Sequence, residues 1–441
     1  MVHRLSRFVV LAGGLLAILS PPAAEISRAG QWPQWRGPSG DSVSRETALP
    51  VKWNVDRGNV RRTPLPEWGD STPAIWNDAI FVTTQSGNKL LLLKFDKRTG
   101  ALRWTRTVGE GTTTRKVPGG GKRTAKFHRL QNLASPSPVT DGERVIVHFG
   151  NGDLASYTFD GTREWKRNLA DDYGPYTIWW GHANSPTLYG DFVISVCMQD
   201  SMEGDWKKLS PSYLVAHNKR TGRVVWKTMR MTGGDAEQCD SYTTPLLVKT
   251  EGRTELIVMG GNQLDAYNPR TGSRLWKLPG LVGGRTITGP TVGNGMVFAT
   301  IGMKGPLNAV RLIGPTERAV ARDIDWKQTR STPDTCCPVV WKGLLFFVSD
   351  NGVATCLEAR SGRLHWRKRL AGRNYKASPL AADGRIYFLS RSGICTVITA
   401  ASEFHIQAEN RIDDEFLASP AVSDGQLYLR GRKALYTIRK K

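Results

Sequence analysis

The 441-residue chain carries 61 Lys and Arg against 39 Asp and Glu, a formal net charge of +22 at pH 7. This excess favours anionic partners or surfaces, although a basic solvated surface explains it at least as well. The 46 Gly and 24 Pro, beside 39% hydrophobic residues, suit many short strands joined by turns. No window sustains a 3.6-residue apolar period, which excludes a stack of helical repeats.

Residues 1–29 have the layout of a secretory signal peptide. Arg4 and Arg7 precede the apolar run Phe8–Leu19, and Ser27–Ala29 offers the small residues of a cleavage site. The run of 12 apolar residues is shorter than a membrane span, and no later run is longer. We therefore expect a periplasmic or secreted chain without a transmembrane segment and without nucleic acid as a partner. An uncleaved anchor is the alternative.

From residue 30 onward the chain repeats one unit eight times. Each unit opens with small residues and a proline and continues with short β-branched and aromatic runs, such as Arg144–Gly150 and Gly343–Asp350. The opening prolines are Pro73, Pro138, Pro186, Pro245, Pro290, Pro338, Pro379 and Pro420. This spacing leaves room for four strands in each unit. The pattern predicts a single all-β domain over 30–441, an eight-bladed β-propeller of four-stranded antiparallel blades.

Several units end in a Thr-Gly turn and a tryptophan, as in "LDAYNPRTGSRLW" (Leu264–Trp276). Asn268 can hydrogen-bond the turn backbone, and Gly272 can adopt the positive φ that closes it. The turn returns the chain as the outermost strand, where an indole can bury on the order of 200 Å² against the next blade. We expect structural, inter-blade roles for Trp53, Trp104, Trp165, Trp226, Trp276, Trp326 and Trp366. Blades five and seven lack Thr-Gly, and blade seven has Ile406 in place of the tryptophan.

The two ends of the chain are expected to complete one blade. Leu417–Lys441 supplies three strands and then the chain ends, whereas Leu49–Asp56 precedes the first unit and carries Trp53 at the place of the repeated Trp. Pairing this N-terminal strand with the C-terminal blade removes open sheet edges. The sequence therefore predicts the outer strand of the last blade at about 49–56.

The turn-and-tryptophan repeat resembles that of the pyrroloquinoline-quinone (PQQ)-like, or quinoprotein-type, β-propellers from about residue 31 to the end. That family contains quinoprotein alcohol dehydrogenases, an outer-membrane-assembly propeller lipoprotein and exported proteins of unknown role. The resemblance implies the fold strongly and the function weakly, because one fold hosts many functions.

Propeller geometry places the connections between blades, and those between the second and third strands of a blade, on one face. The long insertions 108–132, 169–183, 199–212 and 231–242 fall there, whereas 314–323 lies on the Thr-Gly face. Long loops on a rigid ring favour binding, although tolerated loop growth is the alternative. The first insertion is expected to form a basic flap with Arg115, Lys116, Lys122, Arg123, Lys126 and Arg129.

Residues just ahead of the innermost strands should surround the channel mouth. Acids, cations and aromatic side chains at one mouth can hold an ion and a polar ligand together. We expect ligand-binding residues at Trp180, His182, Asn184, Glu237, Asp240, Arg285, Asp334 and Lys376, with Trp68, Asp70, His128 and Glu415 beside them. For His182, a hydrogen-bonded structural role is favoured over that of a base or metal ligand.

The adjacent cysteines Cys336 and Cys337 lie in "TPDTCCPVVW". In quinoprotein dehydrogenases a vicinal disulfide covers the cofactor, so the resemblance implies that role for this pair. Alignment of the repeats places the pair over Ala377-Ser378 and Ala418-Ser419, however, which favours two small buried residues. The sequence leaves any disulfide pairing open.

Two functions agree with these patterns. The first is an exported, non-catalytic binding or scaffold protein of the cell envelope, monomeric and without cofactor or metal. It would hold an envelope protein or an anionic polymer on the face with the long loops. We favour this function because the chain shows no confident match to the cofactor set of the dehydrogenases.

The second function is a PQQ- and calcium-dependent dehydrogenase that oxidises an alcohol or a sugar. The resemblance then implies three sets of residues, which are Asn184, Glu237 and Asp240 for calcium, Arg285 and Lys376 for the quinone carboxylates, and Asp334 or His182 as the base.

Overall fold

Eight four-stranded β-sheets, the blades of a propeller, build the part of the chain that the structure describes. The computed structural model describes residues 30–55, 58–111, 128–178, 180–199, 212–234, 236–250, 252–312 and 324–440. In blades 1 to 7 the four strands follow chain order from the inner edge to the outer edge and pair antiparallel. The predicted all-β, eight-bladed architecture is confirmed.

The strands are short, as the runs of β-branched and aromatic residues predict. Blades 1 to 4 contain Ala74–Trp76, Ala79–Ser86, Lys89–Asp96 and Leu102–Glu110; Val139–Thr140, Arg144–His148, Asp153–Thr158 and Arg163–Asn168; Thr187–Tyr189, Phe192–Cys197, Tyr213–Asn218 and Val224–Met229; and Leu246–Thr250, Arg253–Gly260, Gln263–Tyr267 and Arg274–Leu278. Blades 5 to 7 contain Thr291–Gly293, Met296–Thr300, Leu307–Arg311 and Ile324–Gln328; Val339–Trp341, Leu344–Val348, Val353–Glu358 and Leu364–Arg369; and Leu380–Ala382, Arg385–Leu389, Ile394–Thr399 and Ile406–Arg411. Blade 8 contains Ala421–Ser423, Gln426–Arg430 and Ala434–Ile438, with Val60–Pro64 as its outer strand.

Helical structure in the described residues is limited to short segments. A five-residue α-helix spans Leu169–Tyr173. Its N-cap is Asn168, whose side chain accepts hydrogen bonds from the main-chain N–H groups of Ala170 and Asp171. A single 3₁₀ turn spans Ala236–Gln238. No helix in these described stretches has the length and apolar character needed to cross a bilayer.

The hydrophobic core lies between the blades. Each cluster of buried apolar side chains combines residues of neighbouring blades: Phe81 of blade 1 clusters with Val147 of blade 2, and Val196 of blade 3 with Val258 of blade 4. At about 25 cal/mol per Å² of apolar surface removed from water, this burial favours ring assembly over separate blades.

The repeated tryptophans connect successive blades. In five blades the indole Nε1 of the outer strand donates to a main-chain carbonyl in the next blade, over distances of 2.9 to 3.2 Å. Beside that carbonyl stands the turn glycine: a Cβ on Gly222 would lie 2.8 Å from Trp165, and one on Gly272 would lie 2.4 Å from Trp226. Both glycines also have positive φ. The turn therefore needs glycine for its backbone and for the indole that packs against it.

One blade departs from this arrangement. In blade 4, Trp276 donates to the Glu255 carboxylate of its own blade at 2.7 Å, and the facing turn of blade 5 falls within 313–323, outside the described residues. In blade 7 the register places Ala408, rather than Ile406, at the tryptophan position, so that assignment was wrong by two residues. The fourth strand of blade 8 is Val60–Pro64, so no turn of the repeated kind joins it to the third strand and faces blade 7.

Closure of the ring by the two chain ends is confirmed, but Leu49–Asp56 is not the strand that pairs. Val60–Pro64 pairs antiparallel with Ala434–Ile438. The match of Trp53 to the repeat was misleading: its main-chain N–H donates to Asn410 of blade 7 at 2.8 Å, and its side chain joins the same hydrophobic cluster as Ala408.

An arginine replaces the tryptophan at the seam between blades 8 and 1. The Arg61 guanidinium donates to the Lys97 carbonyl at 2.7 Å and to the Arg98 carbonyl at 2.5 Å, both in the Thr-Gly turn of blade 1. A Cβ on Gly100 of that turn would lie 2.9 Å from the Arg61 Nε. The seam therefore repeats the contact made elsewhere by an indole, with a different donor.

The segment ahead of the first blade lies across the end of the channel on the Thr-Gly face. Trp32 pairs with Ile75 of blade 1, and the Pro33 carbonyl accepts from Thr140 of blade 2. After crossing the ring, the segment adds Val43–Ser44 as a parallel strand to blade 7. This plug, residues 30–46, was not predicted from the sequence, because its partners lie far along the chain.

Candidate functional site

A ring of hydrogen bonds surrounds the channel at the residue before each opening proline. In most blades the side chain of this residue accepts from the main-chain N–H of its counterpart in the preceding blade. The pairs are Thr72 N to Ser137 Oγ, Ser137 N to Ser185 Oγ, Ser185 N to Thr244 Oγ1, Gly289 N to Cys337 Sγ, Cys337 N to Ser378 Oγ and Ser378 N to Ser419 Oγ, at 2.9 to 3.1 Å. This girdle explains why a small polar residue precedes the prolines.

The adjacent cysteines belong to the girdle and its surroundings. Both are buried free thiols. The Cys337 Sγ takes the place of a serine hydroxyl and accepts from Gly289 at 3.1 Å, whereas Cys336 packs in the hydrophobic cluster with Tyr375 and Phe346. Burial raises the pKa of the Cys336 thiol well above its usual value. Neither cysteine lines the cavity described below.

The plug closes the channel below the girdle. Arg36 is 1% exposed and donates to the carbonyls of Pro290 (3.0 Å) and Pro338 (2.9 Å) and to the hydroxyls of Thr291 and Ser42. These bonds tie the plug to blades 5 and 6. The plug thereby holds the indole of its Trp35 as the floor of the channel.

A cavity of about 390 Å³ extends from this floor to the face that carries the long loops. Its volume lies within the range of small-molecule sites. Four of the predicted mouth residues line it, together with the neighbouring Asp70 and His128; the four are Trp180, Arg285, Asp334 and Lys376. The girdle hydroxyls of Ser137, Ser185, Thr244, Ser378 and Ser419 line its deeper part.

The cations of the cavity wall are already paired with acids. Arg285 lies 3.3 Å from the Glu237 carboxylate and 3.7 Å from that of Asp334. The Lys376 ammonium lies 2.5 Å from the Asp350 carboxylate and donates to the Thr335 hydroxyl at 3.1 Å. Neither cation is an uncompensated anion site.

Asp70 is a carboxyl group of the cavity wall whose acidity is strongly altered. Burial raises its pKa to about 7, against the opposing effect of the nearby Arg430 and Arg432 guanidinium groups. At neutral pH the carboxyl therefore exists in both protonation states. The His128 ring lies at the rim, 5.7 Å from the Trp180 ring in an edge-to-face arrangement, and desolvation followed by nearby cations lowers its pKa.

Three predicted mouth residues, His182, Asn184 and Asp240, are buried and do not line the cavity. The His182 ring lies against that of His148, with 3.3 Å between ring nitrogens, and burial lowers the pKa of His182 to about 3. Asn184 donates to the Thr243 carbonyl at 2.6 Å, which connects blade 3 to blade 4. Asp240 accepts from the Tyr242 hydroxyl at 3.2 Å. Spacing from the opening proline cannot show which side chains of a folded-back loop point inward.

The remaining predictions concern the rim. Glu237 lies at the surface as the partner of Arg285. Five residues of the basic flap, Arg115, Lys116, Lys122, Arg123 and Lys126, lie outside the described residues, and Arg129 is exposed beside the rim.

The arrangement does not fit calcium and a quinone. Of the three residues implied as calcium ligands, Glu237 and Asp240 bind protein groups through their carboxylates and Asn184 is buried outside the cavity. Across the described ranges no three His, Cys, Asp or Glu side chains are grouped so as to hold a metal ion. Pyrroloquinoline quinone is a tricarboxylate, whereas Arg285 and Lys376 already have carboxylate partners. We therefore derive no reaction step through either group.

Comparison with known families gives a match over most of the chain. The family described as outer membrane protein assembly factor BamB matches residues 42–195, 210–305 and 308–403. A search of curated protein sequences gave no match.

Solved structures share the fold at low sequence identity. The structure of BamB from Moraxella catarrhalis is 13% identical, with a TM-score of 0.59 over 87% of this chain and 98% of that one. A quinohemoprotein alcohol dehydrogenase from Comamonas testosteroni is 10% identical, with a TM-score of 0.65 over 93% and 81%. A europium-containing methanol dehydrogenase is 11% identical, with a TM-score of 0.60 over 91% and 89%. These likenesses show the architecture alone.

Proposed function

This chain belongs to the family of the outer membrane protein assembly factor BamB, and we propose on that premise that it is an exported, non-catalytic binding protein of the cell envelope. Its ligand or partner binds at the face with the long inter-blade loops, at the mouth of the channel. The observation that carries the proposal is a cavity closed at one end by Trp35 and bordered by cations that acids already neutralise.

The positions of the two candidate bases do not favour the dehydrogenase function. Of the two bases implied by the resemblance, His182 is buried outside the cavity and Asp334 faces Arg285 at 3.7 Å. A general base must reach the proton that it removes. The one observation in favour of catalysis is Asp70, whose raised pKa of about 7 suits proton transfer.

Blocking the cavity tests the binding function. Ala183 lines the cavity, so Ala183→Trp should fill it, whereas Ala101→Trp adds the same side chain at an exposed turn on the opposite face. Each variant and the wild type are immobilised and exposed to an envelope extract, and the retained molecules are identified by mass spectrometry. We expect the wild type and Ala101→Trp to retain the same molecule and Ala183→Trp to lose it. Equal retention by all three proteins would contradict binding at the cavity.

The basic flap is proposed as a second contact for an anionic polymer at the same face. Replacing its basic residues by glutamine should weaken retention on heparin by an amount that falls with salt, since exposed charges are screened. Unchanged retention would remove the flap from the proposal. The residues to replace are Arg115, Lys116, Lys122, Arg123, Lys126 and Arg129.

A further inference from the structure

The balance of charge in the cavity narrows the class of ligand. Arg285 and Lys376 each have a carboxylate within 3.7 Å, and Asp334 faces Arg285. A charged ligand would have to replace one of these partners and leave a charge unpaired, which is costly away from bulk water. We infer that the cavity takes a neutral, polyhydroxylated ligand: a sugar, either free or at the end of a carbohydrate chain. This inference rests on the proposed binding function.

Hydrogen-bond donors surround the deep part of the cavity. The girdle oxygens of Ser137, Ser185, Thr244, Ser378 and Ser419 each accept a main-chain N–H from the preceding blade. A hydroxyl has one hydrogen to donate, and among the described residues these five hydrogens have no protein acceptor. Because each oxygen is held in place by its blade, the five donors form a fixed ring around the channel.

Further donors and acceptors lie nearer the mouth. The Lys376 ammonium has three N–H donors, of which the Asp350 carboxylate and the Thr335 hydroxyl take two. The third is available to a ligand at the cavity wall. Asp70, with a carboxyl group in both protonation states at neutral pH, can accept a hydrogen bond or donate one. A sugar hydroxyl, which does both, matches such a set.

Two indoles supply the flat apolar surfaces that a sugar ring also requires. Trp35 forms the floor, where its ring lies beside Gly289. Trp180 lies on the wall near Ile287 and Leu130. A purely apolar ligand would leave the ring of hydroxyl donors unsatisfied, at a cost in free energy.

Three sugars that differ in charge test the ligand class. Glucose, glucosamine and glucuronate share one ring and are neutral, cationic and anionic near neutral pH. Each is titrated into the wild-type protein up to about 10 mM by calorimetry, because a Kd near 1 mM is then measurable. Maltose and cellobiose, followed by longer oligomers of each, distinguish a free sugar from a chain end: equal affinities indicate the free sugar, and affinity that rises with length indicates the chain end.

We expect a neutral sugar to bind at least about tenfold more tightly than its charged relatives, and Trp180→Ala to weaken that binding about tenfold. Trp180→Phe keeps a flat ring and should restore part of the affinity. It also tests the inference if the alanine variant does not fold. Trp341→Ala, at the opposite end of an innermost strand and outside the cavity, is the matched control and should bind as the wild type does.

Tighter binding of glucuronate or glucosamine would overturn the neutral ligand class and leave cavity binding intact. If none of the sugars bound while Ala183→Trp still abolished retention of an envelope molecule, the inference would fail and the proposed function would stand. If Ala183→Trp also had no effect, both would fail.

Discussion

Replacing Arg36 by methionine tests whether the plug is an integral part of the propeller. The substitution removes four buried hydrogen bonds, two of them to the carbonyls of Pro290 and Pro338. The Thr291 hydroxyl also donates to Pro338 and can keep that carbonyl satisfied, whereas Pro290 loses its donor. A hydrogen bond from a charged donor contributes roughly 1.5–3 kcal/mol, and an orphaned buried acceptor costs roughly 1–3 kcal/mol. Because the hydroxyls can find other partners, we expect Arg36→Met to lower the free energy of unfolding by about 3 kcal/mol.

Urea unfolding followed by tryptophan fluorescence measures this loss, and acrylamide quenching reports the exposure of Trp35 at the cavity floor. The matched control is Arg45→Met, an exposed arginine of the same segment. We expect Arg36→Met to unfold at lower urea and to show stronger quenching than Arg45→Met. Equal stability and equal quenching in the two variants would refute the assignment of the plug as a structural lock.

Three further changes probe the blade contacts and the cavity. Trp226→Phe should lower the free energy of unfolding by about 2 kcal/mol in urea titrations, because the Pro269 carbonyl loses its donor; a change below about 0.5 kcal/mol would deny the tryptophans their inter-blade role. Arg61→Met should destabilise the seam by about 1 kcal/mol through loss of the bond to the Lys97 carbonyl, with hydrogen exchange rising first in the strand Val60–Pro64; exchange that rises evenly over all blades would argue against a local seam. Asp70 holds its proton to about pH 7 in the folded protein and loses it near pH 4 in the unfolded chain, so its own contribution to stability should fall as pH rises from about 4 to about 7, by at most about 4 kcal/mol. The difference in stability between the wild type and Asp70→Asn, measured in melts at successive pH values, should change by that amount, and a difference that stays constant with pH would show that Asp70 does not titrate in this range.

The blade count was predictable from sequence, because one local pattern recurs in every unit. The turn requires Gly272 and the indole requires a partner carbonyl, and both requirements produce a recognisable sequence pattern within a dozen residues. The structure repeats the contact between turn and indole around the ring. The tryptophan is replaced at two places where the neighbouring blade presents a different contact. In blade 7 the tryptophan position holds Ala408, because blade 8 has no turn of the repeated kind to face it. At the seam the donor is Arg61, which a search for repeated tryptophans does not identify.

The plug and the cavity floor were beyond sequence reasoning. Arg36 binds Pro290 and Pro338, which lie 254 and 302 residues away, and nothing in the spacing of these residues connects them. Four of the predicted loop positions next to the opening prolines line the cavity, but the direction of each side chain, as at His182, depends on how its loop folds back.

The measurement that tests the account most directly is reconstitution with pyrroloquinoline quinone and calcium. The purified protein is incubated with both, its absorbance spectrum is recorded, and dye-linked oxidation of alcohols and sugars is followed beside a known quinoprotein alcohol dehydrogenase. A binding protein with paired charges in its cavity should show neither a bound-cofactor band nor turnover. A cofactor band together with oxidation that Asp70→Asn removes would contradict the account and identify an enzyme.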